Sequence, residues 1–561
     1  MAIRQAPRSA AAGGVVLFAL LAGCAAEDPQ PAPPADTAMQ EPAPEEAEGA
    51  EGAEEQGPEE QGPAEEGEAD DAAAGSVNTD YSDIAPDAGH SPPEHFPADP
   101  LEGLDEFYGQ QVDWQDCESG MHCGAVTVPK DYDDPDGETI EIEFISDSVD
   151  DAPFLLMNPG GPGSSGYEIV AEQVDWVFTS ELQDAYNIVG FDPRGVARSA
   201  PLECMEDEEY DLWNQLTGDE TLDADLVGEA VDFTDVVAQC QELSGDIIEH
   251  VDTVSAARDM DIMRDALGQE RLHYFGMSYG TKLGLAYAEI FPEQVGRWAL
   301  DGVMDTSISI SGVTADQSVG FERQLWEFAE YCAEREDCPI EGEAEDVVEG
   351  IDERIDEMWD NPVEASDGRL ISAATIFSGL STTMYVPGGQ EALLLALTDW
   401  IDNGDPEYFQ YLSDIYDGRN PDGSYDWISS WSFRTIMCLD YPLAGEGFEG
   451  PGLLDEETPF TDQFIGTGTE YCQALPTEPA GAPWEPSDEL PQILLVGGTE
   501  DPATPVEWAQ NMHSMMPNSA LLLYEGEGHI SYRPDNPCVA DIVDGYFIDG
   551  ELFEGQQTCS S

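Results

Sequence analysis

Lysine is almost missing from this 561-residue chain: Lys130 and Lys282 are the only two, and 17 lysines and arginines stand against 120 aspartates and glutamates, a formal net charge of −103. That deficit excludes nucleic acid as a partner, because holding a phosphate backbone requires a basic surface. Histidine is scarce too, with 7 in the chain, so the choice of a general base is narrow. Neither a Cys-x-x-Cys knuckle nor a His-Glu-x-x-His helix occurs, so the expectation is no metal and no cofactor. After the first 24 residues no apolar run approaches the roughly 20 residues needed to cross a bilayer. Aromatic residues nearly vanish from residues 25–100, a stretch of Glu, Ala, Gly, Pro and Asp in which Glu-Glu-Gln-Gly-Pro repeats from Glu54 and Glu59. Such a segment cannot offset the entropy of ordering and reads as a disordered, self-repelling spacer.

The acidity is not confined to the spacer, since Glu and Asp remain dense through residues 334–357. A surface so charged repels itself at low ionic strength, and molar salt shortens the range of that repulsion to about 3 Å. Adaptation to brine is the expectation. At the N-terminus Arg4 and Arg8 precede an apolar stretch over residues 15–22, the layout of an export signal and too short for a stable anchor. It ends in Leu21-Ala22-Gly23-Cys24, small residues before a cysteine in the manner of a lipoprotein signal. Residues 1–24 are therefore expected to be the signal, with Cys24 lipidated and the lipid as the only membrane contact. In an exported chain the ten remaining cysteines suggest disulfides. Sequence neighbours would pair Cys117 with Cys123, Cys204 with Cys240, Cys332 with Cys338, Cys438 with Cys472, and Cys538 with Cys559.

Beyond residue 100, short apolar runs alternate with helical patterns, which argues for an α/β architecture with a mostly parallel sheet covered on both faces. Residues 154–157 run into Asn158-Pro159-Gly160-Gly161-Pro162-Gly163, and residues 186–191 run into Asp192-Pro193-Arg194-Gly195. Residues 273–275 run into Gly276-Met277-Ser278-Tyr279-Gly280, followed by a helix over 281–290. Residues 492–496 and 520–524 read as two further strands. In each case the polar or glycine-rich residues follow the strand, at the edge where open α/β sheets hold their ligands.

Gly-x-Ser-x-Gly between strand and helix is the pattern of a strained turn that lifts a serine hydroxyl clear of the sheet, so Ser278 is the candidate nucleophile. A serine needs a base within hydrogen-bond reach, usually histidine. His90 and His95 lie beside the spacer, His122 between cysteines, His250 after a helical stretch, His273 within a strand and His513 in a Met-rich helical segment. His529, on the glycine-rich loop Glu525-Gly526-Glu527-Gly528-His529 after the last strand, is left as the base. Asp501, in Gly497-Gly498-Thr499-Glu500-Asp501-Pro502 after the preceding strand, is the orienting acid, with Glu500 as the alternative. Backbone N–H groups of Tyr279 and of the glycine-rich turn would form an oxyanion hole. Pro162 has no N–H, which favours Gly161 and leaves Gly160 open. A phosphate cradle is disfavoured, because the turn lacks the Gly-Lys-Ser/Thr ending.

Taken together, Asn158-Pro159-Gly160-Gly161-Pro162-Gly163-Ser164-Ser165-Gly166, Phe191-Asp192-Pro193-Arg194-Gly195, Gly276-Met277-Ser278-Tyr279-Gly280, Asp501-Pro502-Ala503-Thr504-Pro505 and Gly528-His529 resemble secreted tripeptidyl aminopeptidases of the α/β-hydrolase superfamily, relatives of prolyl aminopeptidase. The resemblance extends from about Phe107 to the C-terminus. It implies an α/β-hydrolase fold with a large, mainly helical cap inserted before the acid-bearing strand. The core would occupy residues 101–305 and 488–561, the latter a TAP-like C-terminal part, and the cap residues 306–487, leaving 1–24 as signal and 25–100 as spacer. It implies a serine peptidase that takes peptide substrates and releases short peptides, typically tripeptides, from a free N-terminus through an acyl-enzyme on Ser278, with Asp501 and His529 completing the triad. The Cys538 and Cys559 pair matches the family's C-terminal staple. An aminopeptidase must also hold an ammonium, for which a carboxylate in the cap, Asp440 beside Cys438, is the candidate.

Two other readings use the same residues: an esterase acting on small acyl esters, since fold does not decide substrate, and an inactive surface-tethered binding protein. The complete Ser, Asp and His set argues against the second, because loss of one member is the simplest mark of inactivity. Dehalogenase or epoxide hydrolase chemistry is disfavoured, since those relatives carry aspartate where Ser278 stands.

Overall fold

The structure, a computed structural model, describes residues 103–117, 120–216, 233–441, 454, 458–461, 469–477 and 490–560. The signal, Cys24 and the spacer lie outside the described residues.

The described residues form a ten-stranded sheet in the order β1-β2-β3-β5-β4-β6-β7-β10-β11-β12. Its N-terminal edge is antiparallel: β1 (Gln115–Asp116), β2 (His122–Pro129) and β3 (Thr139–Ser146) pair in sequence, and β3 pairs antiparallel with β5 (Asn187–Phe191). From there every pairing is parallel, through β4 (Phe154–Asn158), β6 (Leu272–Met277), β7 (Val295–Asp301), β10 (Leu494–Glu500), β11 (Ala520–Glu527) and β12 (Gly555–Ser560). A separate short pair, β8 (Val363–Glu364) with β9 (Leu370–Ile371), lies between β7 and β10 in sequence.

Burial explains the difference between the two parts. In β4 and β5 nearly every residue is buried, as helices on both faces of a parallel sheet require. β3 instead alternates, with Ile142 and Phe144 buried and Thr139 and Glu141 exposed, the period-2 pattern of a strand with one wet face. β12 is exposed apart from Cys559 and is joined by Cys538–Cys559 to the helix Pro537–Asp549. The other disulfides are Cys117–Cys123, Cys204–Cys240, Cys332–Cys338 and Cys438–Cys472. Five disulfides mark a protein of an oxidising, extracytoplasmic compartment. Among the described residues no helix is long and apolar enough to cross a membrane.

Between β7 and β10 the chain leaves the sheet for a mainly helical insertion. Helices Ile310–Ala333, Ala344–Asp360, Ala373–Met384, Gly389–Thr398 and Glu407–Asp417 close around their own apolar core of Phe321, Leu325, Ile351, Phe377, Leu397 and Phe409. The later helix Ser429–Asp440 behaves differently. Its Trp431, Ile436 and Met437 pack into the main core with Trp213 and Leu283, so the insertion is anchored to the sheet by its last part.

The Asp192-Pro193-Arg194-Gly195 turn is structural. Arg194 is fully buried and forks onto Asp259 with two bonds of 2.7 Å, while its remaining N–H groups reach the carbonyls of Pro129, Lys130 and His250 at 2.9 Å. Tyr132 donates to the same carboxylate at 2.7 Å. Removing one member of such a pair leaves an uncompensated buried charge. Arg194→Met is therefore expected to lower stability by about 3–5 kcal/mol, read as a lower urea midpoint with unchanged slope. A midpoint within error of wild type would show that Asp259 is neutral or solvated.

Candidate active site

Ser278 stands between β6 and the helix Tyr279–Ile290 at φ 53°, ψ −127°, a conformation that costs a residue with a Cβ of order 1–3 kcal/mol. Local bonds hold it there. Its N–H donates to the Asp301 carbonyl at 2.9 Å, and its own carbonyl accepts from the N–H and hydroxyl of Thr281 at 2.8 and 2.6 Å. The flanking glycines are obligatory for space, since a Cβ on Gly276 would lie 2.6 Å from the Gly280 carbonyl oxygen, and one on Gly280 2.5 Å from that of Asn158.

The glycine turn after β4 lies against this elbow. A Cβ on Gly160 would come 2.8 Å from Ser278 Cβ and 3.0 Å from Tyr279 N. The Gly160 N–H is taken by the Asn158 side-chain oxygen at 3.0 Å. Among the described residues nothing accepts the Gly161 N–H, and Tyr279 is the first residue of its helix, where backbone N–H groups have no intrahelical acceptor. Two open donors therefore flank the serine.

Asp501 follows β10 and His529 follows β11, both almost fully buried. Imidazole Nδ1 lies 2.9 and 2.8 Å from the two Asp501 oxygens. The carboxylate also accepts the N–H groups of Ala503 and Thr504 at 3.0 and 2.9 Å and the Thr504 hydroxyl at 2.8 Å. It is Asp501, and not Glu500, that meets the ring; the Glu500 carboxyl is half-buried and pushed up by burial and by the charges of Glu327 and Glu527. No hydrogen bond joins Ser278 Oγ to His529 in this structure, but the ring is one residue away from the serine's own anchor. A Cβ on Gly302, next to Asp301, would sit 3.1 Å from His529 Cε1. In ligand-free triads this bond is often long and tightens only with substrate.

Two other histidines have different tasks. His273, in β6, accepts the Arg297 N–H at 3.1 Å, and burial pushes its imidazole down to about 4. His513 bonds Ser519 at 2.7 Å, and burial lowers it as well.

Asp440 is already engaged within the protein. It is buried with Lys282 Nζ 3.0 Å from one oxygen, and it accepts the N–H and hydroxyl of Thr253 at 2.9 and 2.5 Å. Lys282 also lies 3.6 Å from the centroid of the Tyr441 ring, and Thr253 bonds the Tyr279 hydroxyl. These contacts tie the helix Ser429–Asp440 to the elbow helix and engage both carboxylate oxygens within the protein.

The sequence reading missed a clamp from the insertion on the histidine loop. His529 N–H donates to the Tyr385 carbonyl at 2.8 Å, and the Tyr385 ring meets the imidazole edge-on with centroids 5.7 Å apart. A Cβ on Gly528 would be 2.8 Å from Pro387, while Gln390 and the Gly388 N–H reach Glu527 at 3.3 and 3.4 Å. Thr504 was visible within a quoted motif, whereas nothing local distinguishes Tyr385. Among the described residues no group of three or more His, Cys, Asp or Glu is gathered to hold a metal ion.

A family model of the α/β hydrolase fold matches residues 153–350, and one of TAP-like proteins matches residues 458–559. Serine protease Hip1 of Mycobacterium tuberculosis is 31% identical over 477 residues, covering 79% of this chain and 89% of that protein. Carboxylesterase B of the same species is 30% identical, covering 77% and 84%. Tripeptidyl aminopeptidase of Streptomyces lividans is 28% identical over 496 residues, covering 80% and 86%.

Proposed function

This chain belongs to the TAP-like serine peptidases of the α/β-hydrolase fold, and from that premise we propose that it is an exopeptidase releasing short peptides, tripeptides first among them, from free N-termini in high salt. The observation that carries the chemistry is the buried Asp501–His529 pair set one residue from the anchor of a strained, otherwise uncommitted Ser278. Likeness to a tripeptidyl aminopeptidase supports the substrate class.

In this reading the Ser278 hydroxyl attacks the scissile carbonyl and its proton passes to His529. Asp501 holds the imidazole in the tautomer that can accept it and stabilises the imidazolium. The N–H groups of Tyr279 and Gly161 receive the developing oxyanion. Collapse expels the remainder of the peptide, whose nitrogen takes the proton back from His529, and leaves the released peptide esterified to Ser278. Water, deprotonated by His529, then frees it. The helical insertion would act as a cap over residues 306–487, enclosing the free N-terminus and measuring peptide length. Residues 101–305 and 488–561 would supply the catalytic core, and residues 25–100 would hold it away from a lipid on Cys24.

A second reading, an esterase with the same triad, is favoured by the likeness to a carboxylesterase. One panel separates the two: free-amine mono-, di- and tripeptidyl chromogenic amides, an N-blocked tripeptide and a short-chain ester, from low to molar NaCl. The free-amine tripeptide is expected to have the highest kcat/KM and its blocked form a value lower by about 10²-fold or more, as a site built for a polar group rejects an analogue that leaves it unpaired. Activity and the unfolding midpoint are expected to rise together with salt, because a net charge of −103 is screened. Cleavage of the ester alone would select the esterase, and a salt-independent midpoint would remove the brine adaptation.

A further inference from the structure

Asp301 ends β7, in register with Met277 of β6 and Val496 of β10, so it lies between the strand that carries the elbow and the strand that carries the acid. It is fully buried. Its carbonyl accepts the Ser278 N–H at 2.9 Å. Its carboxylate accepts the N–H groups of Ser531 and Tyr532, at 2.9 and 2.7 Å, from the loop that begins with His529. One residue thus bonds both halves of the candidate machinery.

Between His529 and those two N–H groups stands Ile530 at φ 70°. A β-branched residue there is a true outlier, and such strain persists only where its surroundings over-determine it. On one side the insertion fixes the His529 N–H through Tyr385, and on the other Asp301 fixes the next two N–H groups. Gly302 completes the fit, since a Cβ there would lie 2.8 Å from Ile530 Cδ1 and 3.1 Å from His529 Cε1. Without the Asp301 carboxylate Ile530 can relax, and the imidazole moves with it.

We infer that Asp301 is a positioning residue for the catalytic base, holding the histidine loop in register with the nucleophile elbow through its carboxylate and carbonyl. This rests on the roles proposed for Ser278 and His529. The charge has a second effect. Burial pushes this carboxyl up to about 6, the Ser531 and Tyr532 N–H groups oppose the rise, and the ionisable groups facing it are Asp501, which raises it, and His529, which lowers it. Protonating this carboxyl weakens its hold on the two N–H groups, so an amide, which does not titrate, moves the acid limb of the pH profile to lower pH.

The test uses Asp301→Ala and Asp301→Asn in the full-length protein, with the best substrate of the panel above and with Ser278→Ala as control. Asp301→Ala is expected to lower kcat about 10²-fold, the scale of a misplacement of about 1 Å, with KM within about twofold. Asp301→Asn keeps an oxygen that accepts both N–H groups, so kcat should recover to within about fivefold of wild type, with the acid limb of kcat/KM displaced to lower pH. Wild-type kcat in a folded Asp301→Ala variant, or equal losses in the two variants, would overturn the inference. Should Asp301→Ala fail to fold, Asp301→Asn decides: a displaced limb supports the assignment, and a superposable profile overturns it. Turnover persisting in Ser278→Ala would instead overturn the reading of the site itself.

Discussion

Ser278→Ala is expected to fold as wild type does and to lose about 10⁶-fold in kcat, the scale seen when the nucleophile of a serine triad is removed. The two expectations have separate causes. Alanine keeps the Cβ that makes φ 53° costly, so the elbow strain is unchanged, and the bonds that hold the turn are made by the Ser278 backbone and Thr281. Only the hydroxyl is lost, and nothing else between β6 and its helix can attack a carbonyl. Glycine at the same position tests the strain itself: Ser278→Gly should be equally inactive yet raise the unfolding midpoint, because glycine adopts positive φ without a steric penalty. Turnover numbers with urea unfolding on the same preparations check both. Unchanged hydrolysis by Ser278→Ala would end the acyl-enzyme mechanism.

Asp501→Asn should cost about 10⁴-fold in kcat with little change in fold. The Asp501 carboxylate accepts from Ala503 N–H, Thr504 N–H, the Thr504 hydroxyl and the imidazole. An asparagine oxygen can keep the two backbone donors, but its amide then presents N–H to His529 Nδ1. The imidazole must turn to the tautomer with its proton on Nε2, and so cannot take one from Ser278. Glu500→Gln is the control and should stay within about threefold, since that carboxyl does not touch the ring. A loss of comparable size in Glu500→Gln with an active Asp501→Asn would exchange the two assignments.

The elements that carry these residues were legible because each has a local signature. β4, β5, β6, β10 and β11 are short apolar runs ended by glycine or by a polar turn, and buried parallel strands have few other ways to appear. The elbow was legible for a harder reason: the 2.5 and 2.6 Å approaches at Gly280 and Gly276 permit no side chain. The antiparallel edge was missed although residues 139–144 alternate in period 2, because a strand with one wet face lacks the continuous apolar run of a buried parallel strand. β12 was missed as well, since its burial is confined to Cys559.

Elimination among 7 histidines, strand order and a glycine-flanked serine were enough to name Ser278, Asp501 and His529 as candidates, and composition alone set the net charge of −103. These are matters of residue type and chain order, which folding does not alter. Which acids are available for work was decided only by tertiary structure. Asp440 stood out in sequence as a candidate and is spent on Lys282 and Thr253, while nothing in the sequence marked Asp301, whose carboxylate accepts the Ser531 and Tyr532 N–H groups. With 120 acidic residues composition cannot rank them. A carboxylate's role is set by the donors brought within about 3 Å of it, and those come from distant segments: Lys282 and Thr253 for Asp440, the latter 187 residues away, and Ser531 for Asp301, 230 residues away.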